Sequence, residues 1–291
     1  MKLISDYMRD DTYRHILNDL TRKTFGFDFE RWVTHGYFEG DYIPYSFVEE
    51  GKIISNVSVN RMQFMQKGAI KNYIQIGTVM TDENYRKRGL AARLMKHVVE
   101  EYEQVCDGIY LFGDLSALEF YQKMDFKVEN QYRYYLKDEI CNCENVGKEF
   151  MSIKDMGDEV KKNYLDLVRS SAYHSSFEQI NKYGLQMFYT SSFGNVYFAD
   201  DIGCFIVLDK GENVVLKSVL CKERVALKDV LQRIDIGNHK CRLGFTPHDE
   251  DMNICISEVY DGGKDYRLFY RGKDLEAIEQ DKLYFPDLSH A

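Results

Sequence analysis

The chain has 291 residues and a formal net charge of −9, with 44% hydrophobic and 14% aromatic residues. This length suits one large domain or two ordinary ones, and the composition is globular rather than disordered. The acidic balance disfavours a nucleic-acid partner, and no apolar run is long enough to predict a membrane span. Acidic and polar residues occur within the first ten positions, so we expect no secretory signal there.

Cysteine and histidine spacing bears on the compartment and on metals. Seven cysteines form an odd set without the spacing of a disulfide framework, which predicts a reducing, cytoplasmic setting. Cys141 and Cys143 are the only close pair, and they are interpreted as free thiols rather than as a metal site. The seven histidines show no H-x-x-x-H or similar spacing, so no metal site is predicted.

The first half begins with a predicted helix and three predicted strands. Apolar residues at helical spacing predict a helix over residues 10–22. Residues 25–45 are rich in rings and acids and predict a short helix followed by a surface loop. Residues 45–80 alternate β-branched or aromatic runs with turn residues, which predicts an antiparallel meander of three strands.

A second group of elements completes this half. A helix over residues 88–104 is followed by the apolar strand GIYLF. The next helix, SALEFYQKM, is predicted to open with a capping box of Ser116 and Glu119. Residues 126–139 then predict one or two closing strands. The order of elements predicts an α/β sheet with both faces covered.

The second half repeats this order in outline. A polar segment at residues 141–148 predicts a linker, and a strand, a helix, a meander, a helix and a strand follow it. We therefore predict two copies of one architecture, residues 1–140 and a degenerate copy in residues 141–291. We also expect the first half alone to carry the binding activity.

Three cations precede a glycine at the predicted junction between strand and helix. Arg86, Lys87 and Arg88 stand directly before Gly89. A helix N-terminus has unpaired N–H groups and a partial positive charge, so it suits phosphate, and glycine lets the backbone approach. This pattern predicts a pyrophosphate site, the alternative being a solvated, cation-rich helix start. The P-loop, the dinucleotide fingerprint and the G-x-S-x-G elbow of serine hydrolases are all absent from the sequence.

Two motifs together resemble one family. The segment VMTDENYRKRGLAARLM resembles motif A of the GNAT superfamily of acyl-CoA N-acyltransferases, whose signature R/Q-x-x-G-x-G/A is matched by Arg86, Gly89 and Ala91. The segment SALEFYQKMDF resembles the later motif of that family and lies at the usual separation. Asp125 replaces the usual glycine, although Asp tolerates left-handed backbone. The resemblance implies the GNAT fold, a mixed, mostly antiparallel central sheet flanked by helices, here in two tandem copies.

The resemblance implies acetyl-CoA as co-substrate and no metal. The strand before the cations would pair with the pantetheine arm, and backbone N–H groups after it would hold the pyrophosphate. Ser116 would either contact the cofactor or only cap its helix. The implied cofactor-binding residues are Val79, Met80, Thr81, Arg86, Lys87, Arg88, Gly89, Leu90, Ala91, Ala92 and Ser116.

Tyr121 matches the tyrosine that relatives place beside the cofactor sulfur. A phenol is a suitable acid for the leaving thiolate, whereas a tyrosine at this helical position would otherwise be a core residue. Some relatives carry a glutamate base where this chain has Gln75, which cannot act as one. In the related enhanced-intracellular-survival acetyltransferases the C-terminal carboxylate lies beside the tyrosine. By that resemblance Ala291, with His290, is a candidate proton acceptor; the alternative is a tail that only seals the second domain.

The acceptor is expected beside the early helices. Trp32, Phe38 and Asp41 lie in a segment rich in rings and carboxylates, which would suit a polyamine, an aminoglycoside or a cationic peptide end. The alternative is an exposed acidic loop over an aromatic anchor. We predict a cytoplasmic N-acetyltransferase that acts on a primary amine of a small molecule or peptide. The alternative function is a non-catalytic, acyl-CoA-binding regulatory protein on the same scaffold.

Overall fold

The computed structural model describes residues 1–141, 149–237 and 239–290. The first half contains β1 (Lys2–Ser5), α1 (Asp11–Phe25), α2 (Glu30–Thr34), β2 (Tyr42–Glu49), β3 (Lys52–Gln66), β4 (Ala69–Thr81), α3 (Leu90–Tyr102), β5 (Gly108–Gly113), α4 (Leu118–Gln122), β6 (Lys127–Glu129), β7 (Gln131–Leu136) and α5 (Asp138–Cys141). The second half contains β8 (Met151–Ser152), α6 (Asp158–Ser170), β9 (Phe177–Gln179), α7 (Tyr183–Thr190), β10 (Val196–Ala199), β11 (Cys204–Lys210), β12 (Val214–Cys221), α8 (Leu227–Leu231), β13 (Cys241–Leu243), β14 (Cys255–Tyr260), β15 (Arg267–Arg271) and α9 (Ala277–Gln280). None of the helices in these ranges has both the length and the apolar character that crossing a membrane requires.

The two sheets share one strand order. The first runs β1-β2-β3-β4-β5-β15-β6, with β9 added against β3, and the second runs β8-β10-β11-β12-β13-β7-β14. Each contains a parallel pair at the same place, β4 with β5 and β12 with β13, among antiparallel neighbours. The predicted α/β class with two mixed sheets is confirmed.

The two halves exchange one strand each. β15, from near the end of the chain, lies between β5 and β6 of the first sheet, and β7 lies between β13 and β14 of the second. The interpretation of residues 126–139 as strands that close the first unit is therefore correct for β6 and wrong for β7. The domain boundary at residue 140 remains a prediction. It does not separate the two sheets, because each sheet contains a strand from the other side of this boundary.

Helix starts follow local capping chemistry. The carboxylate of Asp10 accepts the N–H of Tyr13, and Gly26 ends α1 in the left-handed conformation, so the predicted first helix is confirmed. The predicted capping box at α4 is wrong. The carboxylate of Asp114 accepts the N–H of Ser116 at 2.6 Å, and a 3-10 turn at Leu115–Ala117 leads into the helix, so the acid two residues earlier takes the capping role.

The final residues pack into the molecule. Phe285 is fully buried and stacks on Tyr110 of β5, with ring centroids 4.2 Å apart. The Asp287 carboxylate pairs with Arg242 of β13 at 2.7 Å. The segment therefore contacts both sheets, because its apolar rings and its acid find partners on different elements.

Two cysteines of the second half are joined. Cys204 and Cys221 face each other on β11 and β12, with their Cα atoms 4.6 Å apart, and they form a disulfide. This differs from the reduced thiols that the cysteine pattern implied, because the pairing follows from sheet register and not from spacing along the chain. The interpretation of Cys141 and Cys143 as free thiols concerns side chains outside the described residues.

Candidate active site

The first sheet opens where its parallel strands part. β4 and β5 are paired from Tyr73 opposite Gly108 to Ile76 opposite Leu111, yet β4 continues to Thr81. Between the diverging ends lies a cleft of ≈ 630 Å³. Beyond the last pair, the edge of β4 that faced β5 is freed from the ladder, and such an edge can pair with an extended ligand.

A β-bulge shapes the β4 side of this cleft. The register of β3 and β4 shifts between Asn56 and Ser58, and Thr78 has a φ of 41° in the left-handed region. The Thr78 hydroxyl lies 2.6 Å from the hydroxyl of Tyr42 and 2.8 Å from that of Ser58. The Asn56 amide donates to the Thr78 carbonyl at 2.9 Å. These buried polar partners offset the cost of an unusual backbone conformation.

The predicted pyrophosphate site has the expected backbone. Gly89 is the N-cap of α3, with a φ of 72° and no side-chain cap, and no atom lies within 4 Å of the position that a Cβ would occupy. The first N–H groups of this 13-residue helix therefore have no side-chain cap, and the space beside Gly89 is open. The Arg88 guanidinium lies over the Tyr85 ring, 4.7 Å from its centroid, and Arg86 donates to the Thr81 carbonyl.

The other predicted cofactor-binding residues differ in how deeply their side chains are buried. Val79 lines the cleft, whereas the Met80 side chain is buried on the face that α1 covers. The Thr81 hydroxyl lies 2.9 Å from that of Ser55. Leu90, the first residue of α3, is a core residue. Lys87 and Ser116 are exposed, and Ala91 and Ala92 are partly exposed.

Tyr121 reaches the cleft from α4. It is 7% exposed, and burial raises the pKa of its phenol to about 12. Its ring fits against Gly113, where an added Cβ would lie 3.0 Å from the ring. The phenol is therefore protonated at neutral pH and held in one place.

His290 reaches the same cleft. The His290 ring stacks on Phe112 with centroids 4.1 Å apart, and the Tyr189 hydroxyl donates to the His290 carbonyl at 2.5 Å. The imidazole is hydrogen-bonded to the backbone of Phe285. Its buried Nε2 atom has no hydrogen-bond partner among the described residues. Burial lowers the pKa of His290 to about 4, so the ring is neutral. The predicted role of Ala291 lies outside the described residues.

Gln75 is buried one step below the cleft. It lies on β4 opposite Tyr110, and neither its amide nitrogen nor its amide oxygen has a partner in the described parts of the chain. A neutral amide in this place cannot take a proton from a substrate, as the sequence predicted. Its unsatisfied polar atoms instead lower the stability of the folded state.

Only one of the three predicted acceptor residues lines the cleft. Trp32 lies there, and its ring N–H donates to the Gly184 carbonyl at 2.7 Å. Phe38 is buried beneath Arg9, whose guanidinium lies 5.2 Å from the ring centroid. Asp41 accepts from Asn181 and borders other hollows of the surface.

Sequence reasoning missed most of the cleft wall. The bulge network and the aromatic residues of α7 come together only through strand register and contact between the halves. The sequence indicated these residues only as aromatic residues near the ends of helices. The wall residues that the sequence did not single out for the site include Phe25, Phe27, Phe29, Thr78, Phe112, Asp114, Leu185, Phe188, Tyr189, Asp265 and Tyr266.

Comparison with known proteins agrees with this geometry. The sequence model described as the acetyltransferase (GNAT) family matches residues 6–126. This match identifies a GNAT domain within the chain. The GNAT domain so defined contains the diverging strands, Gly89 and Tyr121, and family membership indicates acyl transfer. No curated protein matches the chain.

Solved structures extend the likeness beyond the GNAT domain. A GCN5-related N-acetyltransferase from Kribbella flavida is 14% identical over 95% of this chain and 73% of its own, with a TM-score of 0.56. A GCN5-related N-acetyltransferase from Anabaena variabilis is 11% identical over 93% and 72%, with a TM-score of 0.57. Eis1 from Mycobacterium abscessus is 11% identical over 95% and 74%, with a TM-score of 0.54. At such identities the likeness concerns the fold of both halves.

Proposed function

We propose that this protein transfers an acetyl group from acetyl-CoA to a primary amine by direct attack of the amine. The observation that supports this most is the parting of β4 and β5 in a GNAT domain, with Tyr121 at the side of the cleft. Because β4 is no longer paired with β5 after Ile76, this edge of β4 is available to the pantetheine arm. The cleft is continuous with this edge.

The residues present suit CoA on the α3 side. The left-handed backbone and open space at Gly89 leave room for a diphosphate at the first turn of α3. Arg86, Lys87 and Arg88 are exposed around it and supply charge. Val79 contributes its backbone on the same side, and Ser116 lies at the entrance to α4.

Tyr121 is proposed as the general acid. The attacked thioester expels a thiolate, whose conjugate acid has a pKa of about 8.5, and a protonated phenol can supply the proton. The raised pKa of Tyr121 keeps this proton on the phenol across the physiological range. The bulged segment around Thr78 lines the cleft, and a backbone N–H of this segment would stabilise the oxyanion.

His290 is proposed to orient the amine. Alkylamines are only about a thousandth neutral at pH 7, so the reactive form is scarce. A neutral imidazole with a free, buried Nε2 accepts a hydrogen bond from an amine N–H and directs the nitrogen lone pair. With so low a pKa the ring is a weak base, so the ammonium group releases its proton to solvent before attack. The nitrogen releases a second proton to solvent as the amide forms, which balances the proton that Tyr121 gives to the thiolate. As a consequence, kcat/KM should rise with pH as the amine deprotonates.

The test replaces Tyr121 by Phe. Thiol release is measured with acetyl-CoA and a panel of primary amines, and CoA affinity is measured by calorimetry. We expect Tyr121→Phe to keep CoA affinity and to lose about 10²–10⁴-fold in kcat, because only the proton donor is removed. Tyr197→Phe, on β10 of the second sheet, is the matched control. Wild-type turnover by Tyr121→Phe would make Tyr121 a core residue.

The same assay distinguishes the proposed transferase from the alternative function. A non-catalytic acyl-CoA-binding protein would bind CoA with no thiol release from any amine. Loss of CoA binding altogether would contradict both functions, since both use the site at Gly89.

A further inference from the structure

We propose that the acceptor is a primary amine carried on an aromatic or other apolar body, with a single positive charge, and not a polyamine or an aminoglycoside. This inference rests on the proposed function and names its substrate class. It follows from three features of the cleft: the state of the nearby acids, the rings on its wall and the distribution of charge.

The acids that sequence analysis assigned to the acceptor are already paired within the protein. Each of the four carboxylates between residues 28 and 41 has an arginine partner. The pairs are Arg22–Asp28, Arg14–Glu30, Arg169–Glu39 and Arg61–Asp41. A polycation would have to displace these arginines before it gained any attraction, so the segment lacks the free negative charge that binding a polycation requires.

The cleft passes from one face of the first sheet to the other. The proposed CoA side belongs to the face covered by α3 and α4, where Leu111, Val79 and Tyr121 pack. On the opposite face lie α1, α2 and α7, with Trp32, Phe188 and their neighbours in a separate cluster. The amine must approach the thioester from the side that CoA does not occupy, so this second face is the acceptor side.

Aromatic rings line the acceptor side. Phe27 and Phe29 meet edge to face at 5.5 Å, and Phe188 lies 5.6 Å from both Phe27 and Trp32. Phe25 stacks on Phe27 at the rim and is 48% exposed. An exposed phenyl ring at the mouth of an aromatic wall suits a ligand that buries its own apolar surface there.

The wall of the cleft carries few charged side chains, and their charge is negative. No lysine or arginine lines the cleft in the described part of the chain, and Asp114 and Asp265 are its only acids there. These two acids interact with each other, and the Asp114 carboxylate also caps the turn at Ser116, which lowers its pKa. A single acidic spot beside a long aromatic wall matches one ammonium group on an apolar body.

The experiment uses the protein's single tryptophan as the binding probe. Trp32 lines the cleft, so a ligand on the aromatic wall changes its fluorescence. The full chain is titrated with 2-phenylethylamine and hexylamine, and in parallel with spermidine and kanamycin, in the presence of CoA. We expect saturable changes with the first two amines at concentrations at least tenfold below those needed for the last two. Thiol release from acetyl-CoA should show the same order in kcat/KM.

A rim variant provides the structural test. Phe25→Ala should raise the Kd and KM for 2-phenylethylamine about fivefold to tenfold, because a half-exposed ring is lost without a core cavity. Its KM for acetyl-CoA should not change. Tyr173→Ala removes a ring that is 40% exposed and does not line the cleft, so it is the matched control.

The outcomes distinguish this inference from the proposed function. Binding of the apolar amines without thiol release supports the substrate class and contradicts the transferase activity. Preferred binding and turnover of spermidine or kanamycin overturns the substrate class and retains the activity. Equal KM values for the wild type and Phe25→Ala with 2-phenylethylamine would also overturn it.

Discussion

Tyr121 and Phe269 lie with ring centroids 4.8 Å apart, although they come from opposite halves of the chain. Phe269 belongs to β15, which is paired with β5 on one side and β6 on the other. The second half thus supplies part of the support for the proposed general acid. This contact changes what we expect of the first half in isolation.

Residues 1–140 alone are expected to be unstable. Without β15, the edges of β5 and β6 lose their shared partner, and Phe269 leaves a cavity beside Tyr121. The fragment should aggregate or show no cooperative melting transition by circular dichroism. This replaces the expectation that the first half alone binds CoA.

Co-expression of residues 141–291 is the control for this prediction. The two fragments should form a soluble complex that binds CoA, since each sheet then regains the strand that the other half provides. A folded, CoA-binding fragment of residues 1–140 would contradict the prediction.

Gly89→Glu should abolish CoA binding in a folded protein. The substitution places a side chain and a negative charge at the first turn of α3. Gly68→Glu is a close match, because Gly68 has a φ of 76° against 72° for Gly89 and both have open space around the Cβ position. The two variants should share a destabilisation of about 1 kcal/mol from left-handed backbone, while calorimetry shows lost affinity only at Gly89. Equal affinities would remove the pyrophosphate assignment.

Gly113→Ala should lower kcat without unfolding the protein. The new Cβ would lie 3.0 Å from the Tyr121 ring and 3.2 Å from that of Phe269, so the phenol must move. A misplacement of about 1 Å can cost about 10²-fold in rate, so the smaller shift forced here should lower kcat by less than that. Gly211→Ala, whose Cβ would meet nothing closer than 4.0 Å, is the control. An unchanged kcat for Gly113→Ala would show that the position of Tyr121 is not critical.

His290 should make the protein less stable in acid. The folded-state pKa of about 4 lies below the ordinary value of 6.5, so the unfolded chain binds the proton more readily between these values. Its contribution is complete above pH 6.5 and is lost as the pH falls toward 4, by up to roughly 3 kcal/mol.

Urea unfolding between pH 4 and 7 measures this slope in the free energy of unfolding. His290→Gln should flatten it, whereas the slope from His174, whose pKa burial also lowers, should remain. An identical pH dependence in His290→Gln and the wild type would refute the assignment.

Gln75→Leu should stabilise the protein or leave its stability unchanged. The substitution keeps a similar volume and removes two buried polar atoms that have no partner within the described ranges. An unsatisfied polar group costs about 1–3 kcal/mol, so a rise of a few degrees in Tm is expected. Turnover should be retained, because the amide takes no part in the proposed chemistry. A large loss of kcat with an unchanged Tm would assign Gln75 to the mechanism.

The sequence by itself determined the features that depend on neighbours along the chain. The meander, the helix after Gly89 and the strand before Tyr121 all follow from local periodicity and turn chemistry. The two family motifs lie in one continuous stretch, so their spacing could be read directly. The helix cap at Asp114 was missed because two acceptors, Asp114 and Ser116, compete over one turn.

Only the tertiary structure decided which strands pair and what surrounds the cleft. A strand pattern records which face is buried, but it does not specify the neighbour, so the exchange of β7 and β15 left no local signal. Glu39 looked available because its partner Arg169 is distant in sequence, and the nearer arginines, such as Arg14 beside Glu30, are brought to their acids only by the packing of the helices. The aromatic wall joins the segment after α1 to α7 through contacts between the halves, such as that of Phe27 with Phe188. Packing across such separations is set by the free energy of the whole fold, which no short segment contains.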